Sequence, residues 1–472
     1  MIPLRVDVAI IGAGTAGMAA YQAARVHTDS VLLIEGGAYG TTCARVGCMP
    51  SKLLIAAAAV AHQARHADPF GVQVGKLSID GAAVMARVQR ERDRFVGLVL
   101  ASVESIPRDH RLQARVAFQD DHTLLTEQGQ VIRAERLVIA TGARPVLPPQ
   151  LAGISAHLLT NESIFELPAL PHSLVVMGPG VLGMELAQAM SRLGVGVKVL
   201  GVGGGIAGIR DPAIRDYADR CFNEEFYLDA KSEVETVRET ANGVEVSYRH
   251  RDGGWRSERF DFVLAATGRA PNLGGLALQN TRLQLDPHGV PLFDRYTLQC
   301  GDSAIFMAGD ASNDIPLLHE AADQGRIAGD NAGRFPELRS GLRRTPLALV
   351  FTEPQLASVG LNLKQLDAQF KDRYAVGQVS FEDQGRSRVM LRNRGILKLY
   401  AERDSGLFLG AEMFGPAAEH IGHLLAWAAQ QRMTVARMLE MPFYHPVVEE
   451  GLRSALRDLR DELHMGGTTG AA

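Results

Sequence analysis

Two of the chain's four cysteines stand close together in Gly40-Thr41-Thr42-Cys43-Ala44-Arg45-Val46-Gly47-Cys48-Met49-Pro50-Ser51-Lys52. A C-x4-C pair fits a redox disulfide, half of a metal site, or chance. Zinc usually takes closely spaced cysteines plus a second ligand pair. Cys221 and Cys300 are isolated, which argues against zinc. Pro50 suits the first turn of a helix, and Leu53 to Ala61 is an unbroken apolar run. Cys48 then falls just before a helix N-terminus, where the backbone dipole favours a thiolate. On this ground alone, redox-active and structural roles stand level.

The elements that must position this pair begin almost at the first residue. Val6 to Ile11 is an apolar run that reads as a buried parallel strand. Gly12-Ala13-Gly14-Thr15-Ala16-Gly17 follows, then a helical stretch to about Arg25 and a strand from Val31 to Ile34, ending at Glu35. This is G-x-G-x-x-G between a strand and a helix, with an acid about 20 residues on. Gly12, Gly14 and Gly17 let the backbone approach a pyrophosphate at a helix N-terminus. Glu35 can accept hydrogen bonds from a ribose diol. The bland alternative is a tight turn without a ligand. Leu174 to Met177, then Gly178-Pro179-Gly180-Val181-Leu182-Gly183 and a helix carrying Glu185, repeat the pattern. Two such units argue for two nucleotides. After the strand Val197 to Leu200, an acid is expected for an NAD ribose. Gly201-Val202-Gly203-Gly204-Gly205 stands there instead, and the nearest arginine is Arg210. The expectation is weak discrimination with a modest lean to NAD, NADP being allowed.

The cysteine segment resembles the redox-disulfide signature G-G-x-C-x-N-x-G-C-x-P-S-K of the class I pyridine nucleotide-disulfide oxidoreductases. Dihydrolipoamide dehydrogenase, glutathione reductase and mercuric reductase belong to that family. Thr41 replaces the second glycine and Arg45 the asparagine. Further motifs resemble the family's in its order. Arg136 to Gly142 ends in Ala140-Thr141-Gly142, Asp261 to Asn272 contains Ala266-Thr267-Gly268-Arg269-Ala270-Pro271-Asn272, and Ala304 to Asp310 ends in Gly309-Asp310. Leu318-His319-Glu320-Ala321-Ala322 resembles the segment beneath the flavin, Phe351 to Gly360 the start of the interface domain, and His445 to Glu450 the H-P-x-x-x-E motif. The resemblance covers about residues 4 to 460.

The resemblance implies roles for these residues. The first nucleotide fold takes FAD, with Thr141, Gly142, Gly309, Asp310 and Ala321 contributing; the second takes NAD(P), with Gly268 and Arg269 closing it. Cys43 exchanges with substrate, and Cys48 contacts the flavin. Lys52 pairs with Glu185 near the flavin. His445 moves the thiol protons and serves the disulfide of a second subunit, so a homodimer is implied, and Glu450 orients its ring. Histidine's pKa suits a base near neutral pH. Glu449 is the alternative acid and reads as solvated. Bland readings remain for each: an exposed helix lysine for Lys52, a capping acid for Asp310, a structural histidine for His445. Val181 occupies a position where glutathione reductases carry a gating tyrosine and lipoamide dehydrogenases an aliphatic residue.

Size and charge restrict the alternatives. A chain of 472 residues requires several domains, and 46% hydrophobic residues can fill large cores. A net charge of -4, from 49 basic and 53 acidic residues without a basic block, argues against nucleic acid and anionic membranes as partners. The apolar run Leu53–Ala61 is too short to cross a bilayer. The first strand leaves no room for a leader, unless one was removed before this numbering begins. With few cysteines, this points to a reducing cytoplasm. The polar stretch from His62 to about Arg115 reads as helical and solvated, and the tail after Leu463 as disordered.

The expected fold is α/β, with two Rossmann-like dinucleotide-binding domains and a C-terminal α+β dimerisation domain. The expected division is residues 1–150 and 273–345 for FAD, 151–272 for NAD(P), and 346–472 for the interface. The expected function is FAD-dependent oxidation of dihydrolipoamide, free or on a lipoyl-bearing protein, through a Cys43–Cys48 disulfide to NAD, with no metal. Mercuric reductase fits less well, since there is no N-terminal metal-binding module and no cysteine pair in the tail. Alternatives are an NAD(P)H-dependent reductase of another disulfide or a quinone-type acceptor, and a non-catalytic redox sensor or metal binder.

Overall fold

The computed structural model describes residues 3–463; the Gly- and Thr-rich tail lies outside them. The chain opens with β1 (Leu4–Ile11), α1 (Thr15–Ala24) and β2 (Val31–Glu35). Val8 to Ile11 and Val31 to Ile34 are buried. Strands covered on both faces read as continuous apolar runs, which is why these were visible in the sequence. Next come α2 (Thr42–Val46), α3 (Cys48–Arg65), α4 (Gly81–Glu104), β3 (Arg111–Gln113), β4 (Val116–Asp120), β5 (Thr123–Thr126) and β6 (Val131–Ile139). These strands form one sheet in the order β3-β2-β1-β6-β5-β4, joined on β6 by Ile305–Met307 from much later in the chain. β1, β2, β3, β6 and that late strand run parallel.

After β7 (Ala143–Pro145) and β8 (Leu158–Leu159) the chain builds a second parallel sheet. It contains β9 (Ser173–Met177), β10 (Gly196–Leu200) and β11 (Tyr227–Asp229), with α5 (Val181–Arg192) and α6 (Pro212–Asn223) between them. Its order is β11-β10-β9, then Phe262–Ala265, then β8. A three-stranded antiparallel sheet, Val234 to Phe260, is inserted before the closing strand. β7 pairs with Arg269–Pro271 in a two-stranded ribbon between the two nucleotide folds.

The last part of the chain is a five-stranded antiparallel sheet from Leu347 to Gly415, backed by the helices Ala418–Gln430 and Glu450–Glu462. Its core includes Phe381, Leu397, Met413, Leu425 and Leu456. This is the α+β unit expected there. The whole is a mixed α/β molecule with two doubly wound folds.

The cysteine-bearing helix begins at Cys48 itself: α3 runs to Arg65, carries the apolar run Leu53–Ala61 in its middle and closes on the good helix formers Gln63, Ala64 and Arg65. Taken with α2 over Thr42–Arg65, it spans 24 residues and contains an 18-residue stretch of mean hydropathy 1.4, enough by length and composition alone to cross a membrane. Its inner face is nevertheless packed: Leu54, Ala58 and Ala61 share one core with Met85 and Val88 of α4 and Met184 and Met190 of α5. Burying the leucine, valine and methionine side chains among these is worth about 1.5–3 kcal/mol each. This core holds α3 between the first fold and the second.

Candidate active site

Cys43 lies in α2, and Cys48 is the first residue of α3; Gly47 separates the two helices. The dipole argument therefore applies directly to Cys48. Both cysteines are free thiols, and their side chains hydrogen-bond to each other. The bond from Cys43 pulls the Cys48 thiol down to about 7, against its burial, and the Lys52 ammonium adds to the effect. The same bond, together with burial, pushes Cys43 above the ordinary thiol range. One sulfur is thus poised as thiolate and the other as thiol. The two remaining cysteines are inert by comparison: burial pushes Cys221 up to about 11 and Cys300 up to about 12.

Thr41 precedes α2 with φ 58° and ψ 149°, a region that favours glycine. Its hydroxyl accepts a hydrogen bond from the Ala44 amide at 3.3 Å and caps α2. The substitution that departs from the signature therefore adds a cap at the cost of backbone strain. Arg45, the other departure, donates to the Ala38 carbonyl at 3.3 Å.

Lys52 is one helical turn after Cys48. Its Nζ lies 2.7 Å from Glu185 Oε2 and 4.7 Å from the centroid of the Phe351 ring. Glu185 is only 2% exposed, and its other oxygen accepts the Phe351 amide at 2.9 Å. Phe351 was not among the residues expected to serve the site. Its ring under the lysine ammonium and its amide on a buried carboxylate depend on packing that spacing cannot show.

The two glycine loops repeat one geometry. A Cβ on Gly12 would sit 2.3 Å from the Ala140 carbonyl oxygen, and one on Gly178 2.5 Å from that of Ala266. A Cβ on Gly17 would meet Gly12 O at 1.7 Å, and one on Gly183 would meet Gly178 O at 2.1 Å. The first and third glycines thus close the turn against the neighbouring strand and helix. The middle ones differ: around Gly14 nothing lies within 4 Å, and Gly180 has only Ala266 O at 3.8 Å. Open space at the middle glycine, over a helix N-terminus, is the cradle a pyrophosphate needs. Glu35 holds the first loop's rim, accepting the Ala13 and Gly37 amides at 2.8 Å each.

The FAD side of the first sheet carries further marks of a ligand. Thr141 Oγ1 is buried without a hydrogen-bond partner. Asp310 has no side-chain hydrogen bond among the described residues, and burial pushes its carboxyl up while Arg269 pulls it down. Gly309, at φ 72°, brings this segment against Ala16 and Ala321, and its amide donates to Gln324 Oε1 at 2.8 Å. Gly142 and Gly268, at φ 67° and 110°, turn the chain at the matching strand ends. Arg269 bridges Asn161 and the Ala143 carbonyl in the ribbon between the folds. These residues fit FAD on the first sheet and a nicotinamide nucleotide on the second.

His445 and Glu450 form a separate pair. His445 Nδ1 lies 3.0 and 3.1 Å from the two Glu450 oxygens. The histidine side chain is 80% exposed, and the contact holds the Glu450 carboxyl below the usual carboxylate range. No hydrogen bond joins the pair to Cys43 or Cys48 among the described residues. Nor do those residues contain a group of three or more His, Cys, Asp and Glu side chains placed to hold a metal ion.

A fold with two nucleotide cradles, a dithiol between them and an appended α+β unit defines a two-cofactor thiol oxidoreductase. The Pyridine nucleotide-disulphide oxidoreductase family model matches residues 6–325, and that family's dimerisation domain matches residues 347–456. The chain belongs to this family and is a flavoprotein disulfide oxidoreductase, using FAD and a nicotinamide nucleotide. It is 29% identical to a dihydrolipoyl dehydrogenase of Bacillus subtilis over 95% of this chain and 97% of the relative. It is 31% identical to a mercuric reductase of Shigella flexneri over 97% of this chain and 81% of the relative. Among solved structures, LpdA of Mycobacterium tuberculosis superposes with TM-score 0.81 at 27% identity, covering 96% of this chain and 99% of that one. The HOCl-induced flavoprotein disulfide reductase RclA of Escherichia coli shares the fold, with TM-score 0.80 at 23% identity and coverage of 96% and 99%.

Proposed function

We propose that this enzyme oxidises a small dithiol of the dihydrolipoamide type, free or carried on a lipoyl-bearing protein. The observation that carries the reading is the thiol–thiolate pair, with Cys48 lowered to about 7 at the head of α3. In the exchange, the two substrate S–H bonds break and its S–S bond forms, while the Cys43–Cys48 disulfide is reduced. Two electrons and two protons pass. Bound FAD would supply a two-electron acceptor for the dithiol and a bound nicotinamide nucleotide a hydride acceptor, held at the cradles Gly12–Gly17 and Gly178–Gly183. Cys43 takes the substrate, and Cys48 holds the negative charge, steadied by the Cys43 thiol, the helix dipole and Lys52. His445, exposed and oriented by Glu450, accepts the thiol proton. In the homodimer that the dimerisation domain supports, it serves the dithiol of the second copy.

Two things favour lipoamide over a bulkier peptide disulfide. Val181, at the head of α5, is a small aliphatic residue left 44% exposed at the nucleotide loop. Relatives named dihydrolipoyl dehydrogenase match nearly the full chain. A second reading, an NADPH-dependent reductase of another disulfide, is favoured by one feature: Gly201 offers no carboxylate to a ribose. The deciding experiment compares turnover with dihydrolipoamide and NAD⁺ or NADP⁺ against turnover with NADPH and glutathione disulfide. Turnover of glutathione disulfide alone would overturn the lipoamide reading.

A further inference from the structure

At the end of β10 the glycine run has a structural cause. A Cβ on Gly201 would stand 2.5 Å from Pro179 Cδ and 2.7 Å from its Cγ, with the Ala230 carbonyl oxygen at 3.2 Å on the other side. Pro179 belongs to the phosphate loop Gly178–Gly183, and its ring cannot swing away as a flexible side chain could. The loop after Gly201 is tied down on both flanks. Gly201 and Gly204 donate to the Asp229 and Ala230 carbonyls at 2.8 and 2.7 Å, and Ala207 donates to the Pro179 carbonyl at 2.7 Å. A residue bearing the ribose-binding carboxylate therefore cannot be placed at position 201 while Pro179 is present.

The next residue on the β11 side is Lys231. Its stem lies across Gly204, where a Cβ would meet Lys231 Cε at 2.6 Å. Among the described residues its ammonium forms no ion pair. The neighbouring Asp229 carboxylate accepts the Lys231 backbone amide at 2.9 Å, and Glu233 pairs with Arg249 at 3.4 Å. Around Gly203 and Gly205 nothing stands within 4 Å. The carboxyl end of the second strand of such a fold is where the adenosine ribose is read. Here the end of β10 carries no acid, open space surrounds Gly203 and Gly205, and beside them stands a lysine that, among the described residues, forms no ion pair.

We propose that Lys231 reads the 2′ position of the nucleotide as a phosphate, and that Pro179 keeps the opposing carboxylate out. The enzyme then uses NADPH at least as well as NADH. A 2′-phosphate gains a charge-assisted contact with the ammonium and meets no repulsion at Gly201. This selectivity rests on the family's use of a nicotinamide nucleotide and is independent of which dithiol is oxidised.

The test is calorimetric binding of 2′,5′-ADP and of 5′-ADP to the FAD-loaded enzyme, followed by stopped-flow flavin reduction with NADPH and NADH. Neither measurement needs a disulfide substrate, so failure here leaves the dithiol reading untouched. The wild type should bind 2′,5′-ADP at least as tightly as 5′-ADP. Lys231→Met should weaken 2′,5′-ADP by about tenfold and leave 5′-ADP within about twofold. Gly201→Glu alone should weaken both ligands, and Pro179→Gly/Gly201→Glu together should recover 5′-ADP binding and turn the preference towards it. A wild type that favours 5′-ADP, or equal losses of both ligands in Lys231→Met, overturns the role of Lys231. Full 5′-ADP binding by Gly201→Glu overturns the role of Pro179.

Discussion

Lys52 Nζ and Glu185 Oε2 are 2.7 Å apart, although one residue lies in α3 of the first fold and the other in α5, the first helix of the second. Through its other oxygen Glu185 also holds the Phe351 amide at the threshold of the interface unit. A single buried carboxylate thereby ties all three parts of the chain to the lysine beside Cys48. Lys52→Met removes the ammonium from Glu185 and from the Phe351 ring, and strands that carboxylate. Leaving a buried acceptor unpaired costs about 1–3 kcal/mol, read as a lower midpoint in denaturant. Adding Glu185→Gln should return part of the loss. If the single and double variants unfold at the same midpoint, the pair is not coupled.

The cysteines can be told apart spectroscopically. With Cys43→Ser, a hydroxyl still donates to Cys48, whose thiolate should give a long-wavelength charge-transfer absorption with the flavin. That band should titrate with a midpoint near 7, the value of the Cys48 thiol in the structure. Cys43→Ala removes the donor and should move the midpoint up. Cys48→Ser should lack the band altogether. An unaltered flavin spectrum in all three would remove the pair from the flavin.

The same thiol gives a pH signature in stability. In the folded, reduced protein the Cys43 thiol and Lys52 pull the Cys48 thiol down to about 7, below an unfolded thiol at about 8.5. Its contribution is therefore fully present above the unfolded value and is lost as pH falls through about 7. Melting curves of the reduced protein should show stability declining across that window on acidification. Cys48→Ser should flatten this part of the profile, and an equally steep profile in that variant assigns the slope to other groups.

His445→Gln keeps size and some hydrogen bonding but removes the base. The thiol half-reaction should slow by about 10²–10⁴-fold, while flavin reduction by the nicotinamide is little changed. Equal slowing of both would mark a structural role. Glu450→Gln should have a smaller effect of the same kind, because it only orients the ring.

Thr41 offers a test of strain against capping. Thr41→Ala keeps the strained backbone and loses the cap, which should cost about 1 kcal/mol. Thr41→Gly also loses the cap but relieves about 1–3 kcal/mol of strain. The order of midpoints should be Gly at or above Thr, with Ala lowest. Ala above Thr would show that the hydroxyl does not cap α2.

Much of this was legible in the residues because backbone chemistry leaves few choices. Gly12, Gly17, Gly178 and Gly183 sit where any side chain would strike a carbonyl, so the loops announce themselves. The doubly buried strands do the same through their apolar runs. What stayed hidden were contacts between residues distant in sequence. Nothing in the spacing says that the Pro179 ring fills the space a side chain at Gly201 would need. Nor does it say that Phe351 lends an amide to Glu185. The three-stranded insert Val234–Phe260 is too mixed in polarity to stand out.

The late strand Ile305–Met307, which pairs with Leu137–Ile139 of β6, has a bearing on how the protein is made. A ribosome releases β6 long before its last neighbour, and the whole second sheet emerges in between. During that interval the Leu137–Ile139 end of β6, beyond its pairing with β5, presents unpaired amides and carbonyls on one flank, a template for pairing with other chains. The second nucleotide fold can assemble first, while the first waits for a pairing of very high sequence separation, a slow event in folding. Chaperone demand in the cell should accordingly track this delayed closure rather than overall size, and nascent chains arrested before Ile305 should be the aggregation-prone ones.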